Sequence, residues 1–420
     1  MVFLMRFVDL FCGIGGFHAA LHQLGHECVF ATDIDAHAAA VYEMNWGQPG
    51  GHPVQSDIRD VIHEIPPMDI ICAGFPCQPF SKSGAQNGFK DQTRGTLFHD
   101  ICTLAEIHNP KVLLLENVPN LVKHDNGNTM RIIEARINEL GEYGYKPWSK
   151  IISPHNYGTV QIRQRVYIVC IRKDLVDELE FSFPKATNDE LDIRAILDAE
   201  VDEKYNLSEK EIHWIDTWED FLKNVNVDTK LPGHPIWADA FRGDEPLEDL
   251  PGWKQGFIRK NRKLYAENKK FIDGWLERWG VLDLDENGER KYPVSRTKYE
   301  WQAGPDSRSN WDNLMQFRPS GIRTKRPNYF PALVAMAQIP IVGWLRRHLT
   351  PKECARIQDF DVDGIHGDPF TLDDSDSQSY KQLGNAVNVN MIRLIQVRVD
   401  TYLGEQVEPE PPPELVKTIN

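Results

Sequence analysis

The sequence predicts an α/β protein with a doubly wound, mostly parallel sheet of the Rossmann-like type. Over residues 1–175, short apolar segments alternate with helical or glycine-rich stretches, which is the pattern of successive βαβ units. Each apolar segment also ends in a polar or turn-forming residue. The predicted strands are residues 5–11, 28–34, 69–75, 111–117 and 166–172. In such a sheet the carboxyl ends of the strands form the ligand crevice, so we expect Asp9, Asp33, Glu116 and the segment 75–77 to converge there.

The length of 420 residues predicts two or three domains, at roughly 100 to 200 residues each. Residues 1–180 form the first predicted domain. A second is predicted for 181–345, where acidic helical stretches give way to a basic, tryptophan-rich segment. Residues 346–405 regain apolar patterning and are expected to return to the first domain, ending in a helix. The tail 406–420 is acidic and proline-rich, and we expect it to be disordered.

The net charge of −15 is unevenly distributed along the chain. Residues 1–175 carry −3 and residues 176–250 carry −14, whereas residues 251–350 carry +9 and the remaining residues −7. A nucleic-acid partner needs a local basic surface rather than a basic protein, so residues 251–350 are the candidate for one. A solvated face, or a face that offsets the acidic window before it, is the alternative.

Membrane, metal and disulfide-rich proteins are disfavoured by the sequence. No apolar run approaches the ~20 residues that cross a bilayer. The seven cysteines are scattered and form neither a C-x-x-C pair nor a Cys/His cluster, so we expect no metal site and no disulfide framework. Reduced thiols and the lack of an export signal predict a cytoplasmic protein.

The segment 7–17, FVDLFCGIGGF, predicts a turn that binds an adenosine-containing ligand. Gly13, Gly15 and Gly16 follow the first strand and allow a tight turn close to a ligand. Asp33 ends the next strand, where a carboxylate accepts hydrogen bonds from ribose hydroxyls. The spacing is G-x-G-G rather than G-x-G-x-x-G, which is a weak signal alone. NAD and S-adenosylmethionine are not separated by these residues.

The segment 73–84, AGFPCQPFSKSG, indicates a nucleophile. Pro76 and Pro79 bracket Cys77 directly after the third strand and hold the thiol on a rigid loop at the carboxyl edge of the sheet. A thiol that is partly exposed beside positive charge forms a thiolate readily. A buried, inert cysteine is the alternative.

A carboxyl and two guanidinium groups are predicted at the same edge. Glu116 ends the fourth strand and can donate a hydrogen bond to a ring nitrogen if its pKa is raised enough to hold a proton. Arg163 and Arg165 are two residues apart at the start of the fifth strand, so both can point into the crevice and grip a base, a phosphate or the carboxylate. A surface ion pair is the alternative.

A series of motifs resembles those of the DNA (cytosine-5)-methyltransferases of bacterial restriction-modification systems. In order, the motifs are DLFCGIGGF, AGFPCQPFSKSG, RGTLF, LLLENVPNL, QIRQRVYIV, LTPKECARIQDF and YKQLGNAVNVNMI. They cover roughly residues 4–173 and 318–400, and 174–317 matches no shared motif, as expected of the family's variable target-recognition domain. The resemblance implies the S-adenosylmethionine-dependent methyltransferase fold, with the smaller target-recognition domain at 181–345.

The resemblance also implies a covalent mechanism. Cys77 would attack carbon 6 of cytosine while Glu116 engages ring nitrogen N3, so that carbon 5 takes the methyl group of S-adenosylmethionine and leaves S-adenosylhomocysteine. Arg165 would steady the base, and Arg163 the neighbouring backbone or acid. Since carbon 6 is unreachable in a stacked duplex, the base must be flipped out of double-stranded DNA.

By the same resemblance, residues from several motifs and the stretches between them would line the cofactor site. They are Phe11, Gly13, Ile14, Gly15, Gly16, Asp33, Ile34, Asp57, Ile58, Pro76, Leu97, Asn385 and Val387. Asp57 is placed to meet the adenine amine and Ile58 the adenine face. Ile34 departs from the tryptophan of some relatives, which leaves adenine stacking there open. Asn385 requires the carboxyl-terminal helix to fold back onto the first domain.

The candidate DNA-binding residues come from the Cys77 loop and from the basic window. They are Gln78, Ser81, Lys260, Arg262, Lys263, Arg318, Arg323 and Arg326. Some would position phosphates, and others would read base edges. We expect a monomer with no membrane partner, and a cognate restriction endonuclease acting as a separate protein.

Two alternatives from other classes stay open. The glycine loop and Asp33 alone would permit an NAD-dependent oxidoreductase, although Cys77 between prolines has no matching hydride chemistry. The other is a catalytically inactive DNA-binding relative, which the intact Cys77, Glu116 and Arg165 disfavour.

Overall fold

The computed structural model describes residues 4–75, 96–176, 180–187, 191–227, 231–243, 246–335 and 338–404. The predicted site residues Pro76, Cys77, Gln78 and Ser81 and the predicted disordered tail lie outside these ranges. The chain divides into two compact units. Unit 1 comprises Met1–Ile196, Pro331–Met336 and Pro351–Asn420, and unit 2 comprises Leu197–Phe330 and Ala337–Thr350.

Unit 1 is built on a six-stranded sheet in the order β2-β1-β3-β4-β7-β5. The strands of the first half of the chain are β1 Arg6–Leu10, β2 Glu27–Thr32, β3 Ile70–Gly74, β4 Val112–Asn117, β5 Tyr145–Ile152, β6 Gln161–Ile162 and β7 Arg165–Arg172. β1 to β4 are parallel, and β7 runs antiparallel to both β4 and β5. The predicted α/β fold with a mostly parallel sheet is therefore confirmed.

The sequence did not predict the edge strand β5. Its residues YKPWSKII include a proline and several half-exposed or exposed polar side chains, because only one neighbour and little core cover this edge. The interior strand β4, by contrast, is buried at all six positions, as expected of a strand with both faces covered. A continuous apolar run therefore indicates β4, whereas the sequence of β5 contains no such run.

Short helices follow the strands of unit 1. They are α1 Gly16–His22, α2 Ala36–Trp46, α3 Ile58–Val61, α4 Leu97–His108, α5 Asn120–Lys123 and α6 Asn128–Asn138. α2 begins where the Asp35 side chain accepts from two backbone N–H groups, and α4 begins at Thr96, whose hydroxyl accepts from the His99 N–H. α4 ends at Asn109 in the left-handed conformation. The cap at Asp35 starts α2 directly after β2.

Unit 2 packs three helices, α7 Glu209–Asn224, α8 Gly252–Glu267 and α9 Lys269–Trp279, with a second sheet. Its strands and the boundary strand are β8 Ile236–Trp237, β9 Lys298–Gln302, β10 Leu314–Arg318, β11 Gly321–Lys325, β12 Phe330–Pro331, β13 Ile341–Val342 and β14 Arg347–His348. The sheet order is β14-β13-β10-β11-β9-β8. The ring of Trp218 in α7 stacks on that of Tyr299 in β9, with 4.9 Å between the ring centroids, and its centroid lies 5.1 Å from that of Trp275 in α9. These rings form an aromatic core.

The last part of the chain returns to unit 1 with α10 Pro351–Ile357, α11 Asp376–Asn385 and α12 Val389–Tyr402. α12 packs on α1 and is tied to the start of β2 by a buried pair, His26 Nε2 and Asp400 Oδ2, 3.2 Å apart. None of the helices in the described ranges is long and apolar enough to cross a membrane.

Candidate active site

The glycine loop follows β1 and needs its glycines for two reasons. Gly13 and Gly15 have φ angles of 55° and 86°, in the left-handed region that other residues rarely adopt. A Cβ at Gly15 would lie 2.5 Å from Trp46 Nε1, and a Cβ at Gly16 would lie 2.6 Å from Val387 Cγ2. Phe11, which precedes the glycines, also has a positive φ of 55°. Strain of this kind in a bulky residue is found mainly at ligand sites.

Asp33, at the end of β2, fixes the shape of this loop. One carboxylate oxygen accepts from the Gly13 N–H and the other from the Asp35 N–H, both at 2.8 Å. Burial raises the pKa of Asp33, and the two backbone donors oppose that shift. The Asp35 side chain in turn pairs with Lys381 Nζ at 2.8 Å. The loop and the end of β2 therefore form one hydrogen-bonded unit.

Glu116 and Arg165 meet at the carboxyl end of β4. The Arg165 Nε lies 3.0 Å from Glu116 Oε1, and Glu116 is 8% exposed. Burial raises the pKa of Glu116, and the charges of Arg165 and Arg163 oppose this without overcoming it. Such a carboxyl holds its proton at higher pH than a solvated glutamate and can act as an acid.

The end of β3 is held beside this acid. Glu116 pairs in register with Gly74, and the Asn117 amide donates to the Phe75 carbonyl at 2.8 Å. Phe75 is the last described residue before the segment that contains Cys77. The backbone that enters the Cys77 loop is therefore anchored next to Glu116.

These groups line one cavity of about 400 Å³. The predicted residues that line it are Phe11, Gly13, Ile14, Asp33, Glu116, Arg163, Arg165, Asn385 and Val387. Residues at the ends of β1, β2 and β4 thus converge with residues 381–387. The cavity that they line is large enough for a small-molecule ligand. Among the described residues no cluster of His, Cys, Asp or Glu could hold a metal ion.

Comparison with known proteins decides the family. The model of the C-5 cytosine-specific DNA methylases matches residues 5–400. The chain belongs to this family. It is 35% identical to the Type II methyltransferase M.AluI of Cellulosimicrobium cellulans, over 93% of this chain and 90% of that protein.

Two further relatives and a solved structure agree with this assignment. The methylase is 32% identical to M.HhaI of Haemophilus parahaemolyticus, over 95% of each chain, and 40% identical to M.HpaII of Haemophilus parainfluenzae, over 95% and 90%. A DNA modification methyltransferase of an E. coli prophage shares the fold, with a TM-score of 0.51, 19% identity and coverage of 95% and 99%. The resemblance found in the sequence is confirmed: the chain is a DNA cytosine-5 methyltransferase of the restriction-modification type, and neither the oxidoreductase nor the inactive relative.

Other predicted cofactor residues of the methylase do not line the cavity. Gly15 and Gly16 are packed close to Trp46 and Val387. Asp9, which was expected at the same crevice, is wholly buried in β1 and does not line the cavity either. The rest are Ile34, 71% exposed; Ile58, buried in the core; Leu97, at the start of α4; and Asp57, which caps α3 and pairs with Arg59. Their assignment to the cofactor stays a prediction.

Several lining residues of the methylase were not predicted. They are Cys12, Phe17, Asp35, Ala38, Gly74, Asn117, Val118, Lys381, Gln382, Gly384 and Ala386, whereas Phe75, which also lines the cavity, belongs to the segment expected at the crevice. All except Ala38, Lys381 and Gln382 lie within two positions of a predicted site residue, so widening each prediction by two positions includes them. The contact of Lys381 with Asp35 has no signal in the residues beside it.

The predicted DNA-binding residues of α8 lie mostly at the surface of unit 2. Lys260 and Lys263 are exposed, and Arg262 is half-buried. Lys263 Nζ lies 3.7 Å from Glu267 Oε1, one helical turn away. An exposed pair of this kind is weak and leaves the lysine available to a phosphate.

The predicted arginines of β10 and β11 are more firmly held. Arg323 donates to Glu300 Oε2 through Nε at 2.9 Å and Nη2 at 2.8 Å, and Arg318 Nη1 lies 3.8 Å from the same oxygen. Arg326 pairs with Asp306 beyond the end of β11. Arg318 and Arg323 therefore share one carboxylate on one face of the sheet.

Proposed function

We propose that the methylase transfers the methyl group of S-adenosylmethionine to carbon 5 of a cytosine flipped out of a specific short site in double-stranded DNA, through a covalent adduct with Cys77. The observation that carries the proposal is that one cavity is lined both by the glycine loop and Asp33 and by Glu116 and Arg165. One part suits an adenosine cofactor and the other a pyrimidine ring.

The residues of the cavity fit the cofactor. Asp33 keeps its carboxylate fixed by two backbone donors, so its remaining lone pairs can accept from ribose hydroxyls. Phe11, Ile14 and Val387 offer apolar surface to the adenine and the methionyl chain. When bound, S-adenosylmethionine supplies an electrophilic methyl group on its sulfonium. We assign no metal to the reaction.

The chain's own groups would carry out the covalent steps on the base. The Cys77 thiolate adds to carbon 6 while Glu116 gives its proton to N3, which makes carbon 5 nucleophilic. Carbon 5 would form the new bond to the methyl group as the bond from that group to the sulfonium sulfur breaks, which leaves S-adenosylhomocysteine. Loss of the carbon 5 proton to a base would then expel the Cys77 thiolate, N3 would return its proton to Glu116, and the aromatic ring would be restored. Arg165, fixed on Glu116, would orient both the acid and the flipped base.

We propose that unit 2 is the target-recognition region, which the predicted range 181–345 covers except for its last five residues, 346–350. One face of its sheet carries Arg318, Arg323, Lys298 and Lys325 around Glu300, whereas the other face packs on the aromatic core. The surplus of positive charge on that face suits base edges and phosphates. The exposed lysines of α8 would add phosphate contacts.

The restriction-modification assignment implies a nuclease that cuts the same site when it is unmethylated. We propose that this nuclease is a separate protein, that the methylase acts as a monomer, and that it works in the cytoplasm on the host chromosome.

The decisive experiment uses DNA with 5-fluorocytosine at the target position. Fluorine cannot leave as the proton does, so the wild type should form a covalent complex that survives denaturant. Cys77→Ser should give neither this complex nor methyl transfer, while binding S-adenosylhomocysteine normally. Cys354→Ala is the matched control, since this thiol is buried in α10, and it should keep both activities. Methyl transfer by Cys77→Ser would refute the mechanism.

A further inference from the structure

Arg163 and Arg165 are neighbours in the sequence but face different partners. Arg163 is 2% exposed and lies between β6 and β7. Its Nη1 donates to the Leu333 carbonyl at 2.8 Å, and its Nη2 donates to the carbonyls of Gly384 and Ala386 at 3.0 and 2.8 Å. The charged end of Arg163 is therefore occupied by backbone carbonyls, whereas that of Arg165 is paired with the acid Glu116.

The three carbonyls belong to two segments that touch each other. A Cβ at Gly384 would lie 2.3 Å from the backbone carbon of Val334, so the two segments pack backbone to backbone. Arg163 bridges them at this contact. Because the guanidinium offers several donors in one plane, it can satisfy all three carbonyls at once.

The segment that follows Gly384 forms a wall of the cavity. Asn385 and Val387 line it, and Val387 packs directly on the glycine loop at Gly16 and on the end of β3 at Gly74. A shift of this segment would therefore change the side of the cavity next to the glycine loop. Glu116 and Arg165 are held from different elements, β4 and β7.

We infer that Arg163 is a positioning residue that builds the cofactor wall of the cavity, and that it does not touch the flipped base. This inference rests on the proposal that the glycine-loop side takes S-adenosylmethionine. Without the guanidinium, three buried carbonyls lose their donors, and the wall can recover hydrogen bonds only by moving. The loss should appear in cofactor affinity rather than in the chemical step.

The rest of the scaffold should survive the loss of Arg163. The Gln358 amide donates to the Leu383 carbonyl at 2.8 Å, and the Asn388 amide donates to Asp359 at 2.7 Å. These bonds hold the segment on both flanks of the Gly384 and Ala386 carbonyls. Substitution of Arg163 should therefore loosen the wall locally and leave the fold intact.

The test compares three arginine-to-lysine variants. A lysine keeps the charge but cannot reach three carbonyls in one plane. Arg163→Lys should weaken S-adenosylhomocysteine binding about tenfold by calorimetry, while kcat at saturating cofactor and the yield of the 5-fluorocytosine complex stay within about twofold of wild type. Arg165→Lys should show the reverse, with normal cofactor binding and reduced kcat.

Arg172→Lys is the matched control. Arg172 ends β7, the strand that begins at Arg165, and its Nη1 also donates to a backbone carbonyl, that of Asn109 at 2.6 Å. It lies away from the cavity lining, so cofactor affinity should not change. Arg163→Ala should regain cofactor affinity when guanidinium ion is added, which a general loss of structure would not allow.

A normal cofactor dissociation constant with reduced kcat in Arg163→Lys would overturn the inference, because Arg163 would then act on the base. If the Arg163 variants do not fold, Gly384→Ala carries the test: its Cβ must displace the same segment from Val334, and unchanged cofactor affinity there would overturn the inference too. Failure of the wild type to bind S-adenosylhomocysteine would instead refute the proposed cofactor.

Discussion

The two units of the methylase bury their charged side chains to different degrees. In the cavity of unit 1, Glu116 and Arg163 are 8% and 2% exposed, and burial shifts the pKa of both away from the usual values. On the sheet face of unit 2, the Arg318 and Arg323 side chains are 28% and 25% exposed and share the carboxylate of Glu300. Burial tunes proton affinity for chemistry, whereas charge that stays in reach of solvent remains free to meet a charged partner.

The largest expected effect tests the buried side of this comparison. Glu116→Gln should lower kcat about 10²- to 10⁴-fold, the range for loss of a general acid, with little change in cofactor affinity. The wild-type kcat should fall as pH rises through the raised pKa of Glu116, because the acid then loses its proton. The glutamine variant should lack that limb of the pH profile.

Glu134→Gln is the control for this experiment. Burial also raises the pKa of Glu134, which lies on α6 away from the cavity lining. Its substitution should leave kcat and the pH profile unchanged. An active Glu116→Gln with the wild-type pH profile would show that burial of this carboxyl serves structure and not catalysis.

The second prediction tests the exposed side. If Arg323 reads a base edge and Glu300 fixes its plane, Arg323→Lys and Glu300→Gln should each reduce discrimination at one base pair by about 1 to 3 kcal/mol. The measurement is methyl transfer to a set of sites with single substitutions. Arg290→Lys, in an exposed pair with Asp239 in the same unit, should change nothing.

Charge reversal on α8 should behave differently. Substituting Lys260, Arg262 and Lys263 with glutamate should weaken binding to all DNA sequences and flatten the salt dependence by about 0.9 for each lost phosphate contact. If the α8 variant lost sequence specificity as much as the Arg323 and Glu300 variants do, unit 2 would not use separate residues to read bases and to contact phosphates.

The sequence predicted these two regions unequally, for a physical reason. In unit 1 the strands are apolar runs and the site residues lie where they end, so local patterns found Asp33 and Glu116. The partners of Arg163 lie 170 to 223 residues away and are backbone carbonyls, which carry no sequence signal. In unit 2, strands of two residues such as β8 and β13 are too short for any periodicity.

A smaller effect is expected at the carboxylate that orders the glycine loop. Asp33→Ala removes the acceptor of the Gly13 and Asp35 N–H groups and should weaken S-adenosylmethionine binding by about 1 to 3 kcal/mol. Calorimetry measures this directly. Asp60→Ala, at an exposed position of α3, is the control and should bind normally. An unchanged affinity in Asp33→Ala would remove Asp33 from the cofactor site.

The smallest effect concerns Asp359, a carboxylate of unit 1 that lies outside the cavity lining. Its Oδ2 accepts from the Thr159 hydroxyl and the Asn388 amide, both at 2.7 Å, and its backbone has a positive φ of 60°. Burial raises its pKa to about 6. An asparagine keeps an acceptor oxygen and tolerates this φ better than most residues.

The sign of the effect follows from the two pKa values. The unfolded chain releases this proton near pH ~3.9, and the folded protein keeps it until pH rises through about 6, so ionisation of Asp359 lowers stability progressively over that window. The free energy of unfolding of Asp359→Asn should therefore exceed that of the wild type by about 1 to 2 kcal/mol above pH ~7, and this difference should vanish below pH ~4. Urea unfolding at both pH values measures this difference.

Asp363→Asn is the control and should show the opposite sign, because Arg356 and Lys352 lower the pKa of Asp363 and its ionised form stabilises the fold. If Asp359→Asn raised the free energy of unfolding equally at both pH values, the ionised carboxylate of Asp359 would cost no stability. A buried carboxylate in unit 1 would then be no sign of a catalytic role.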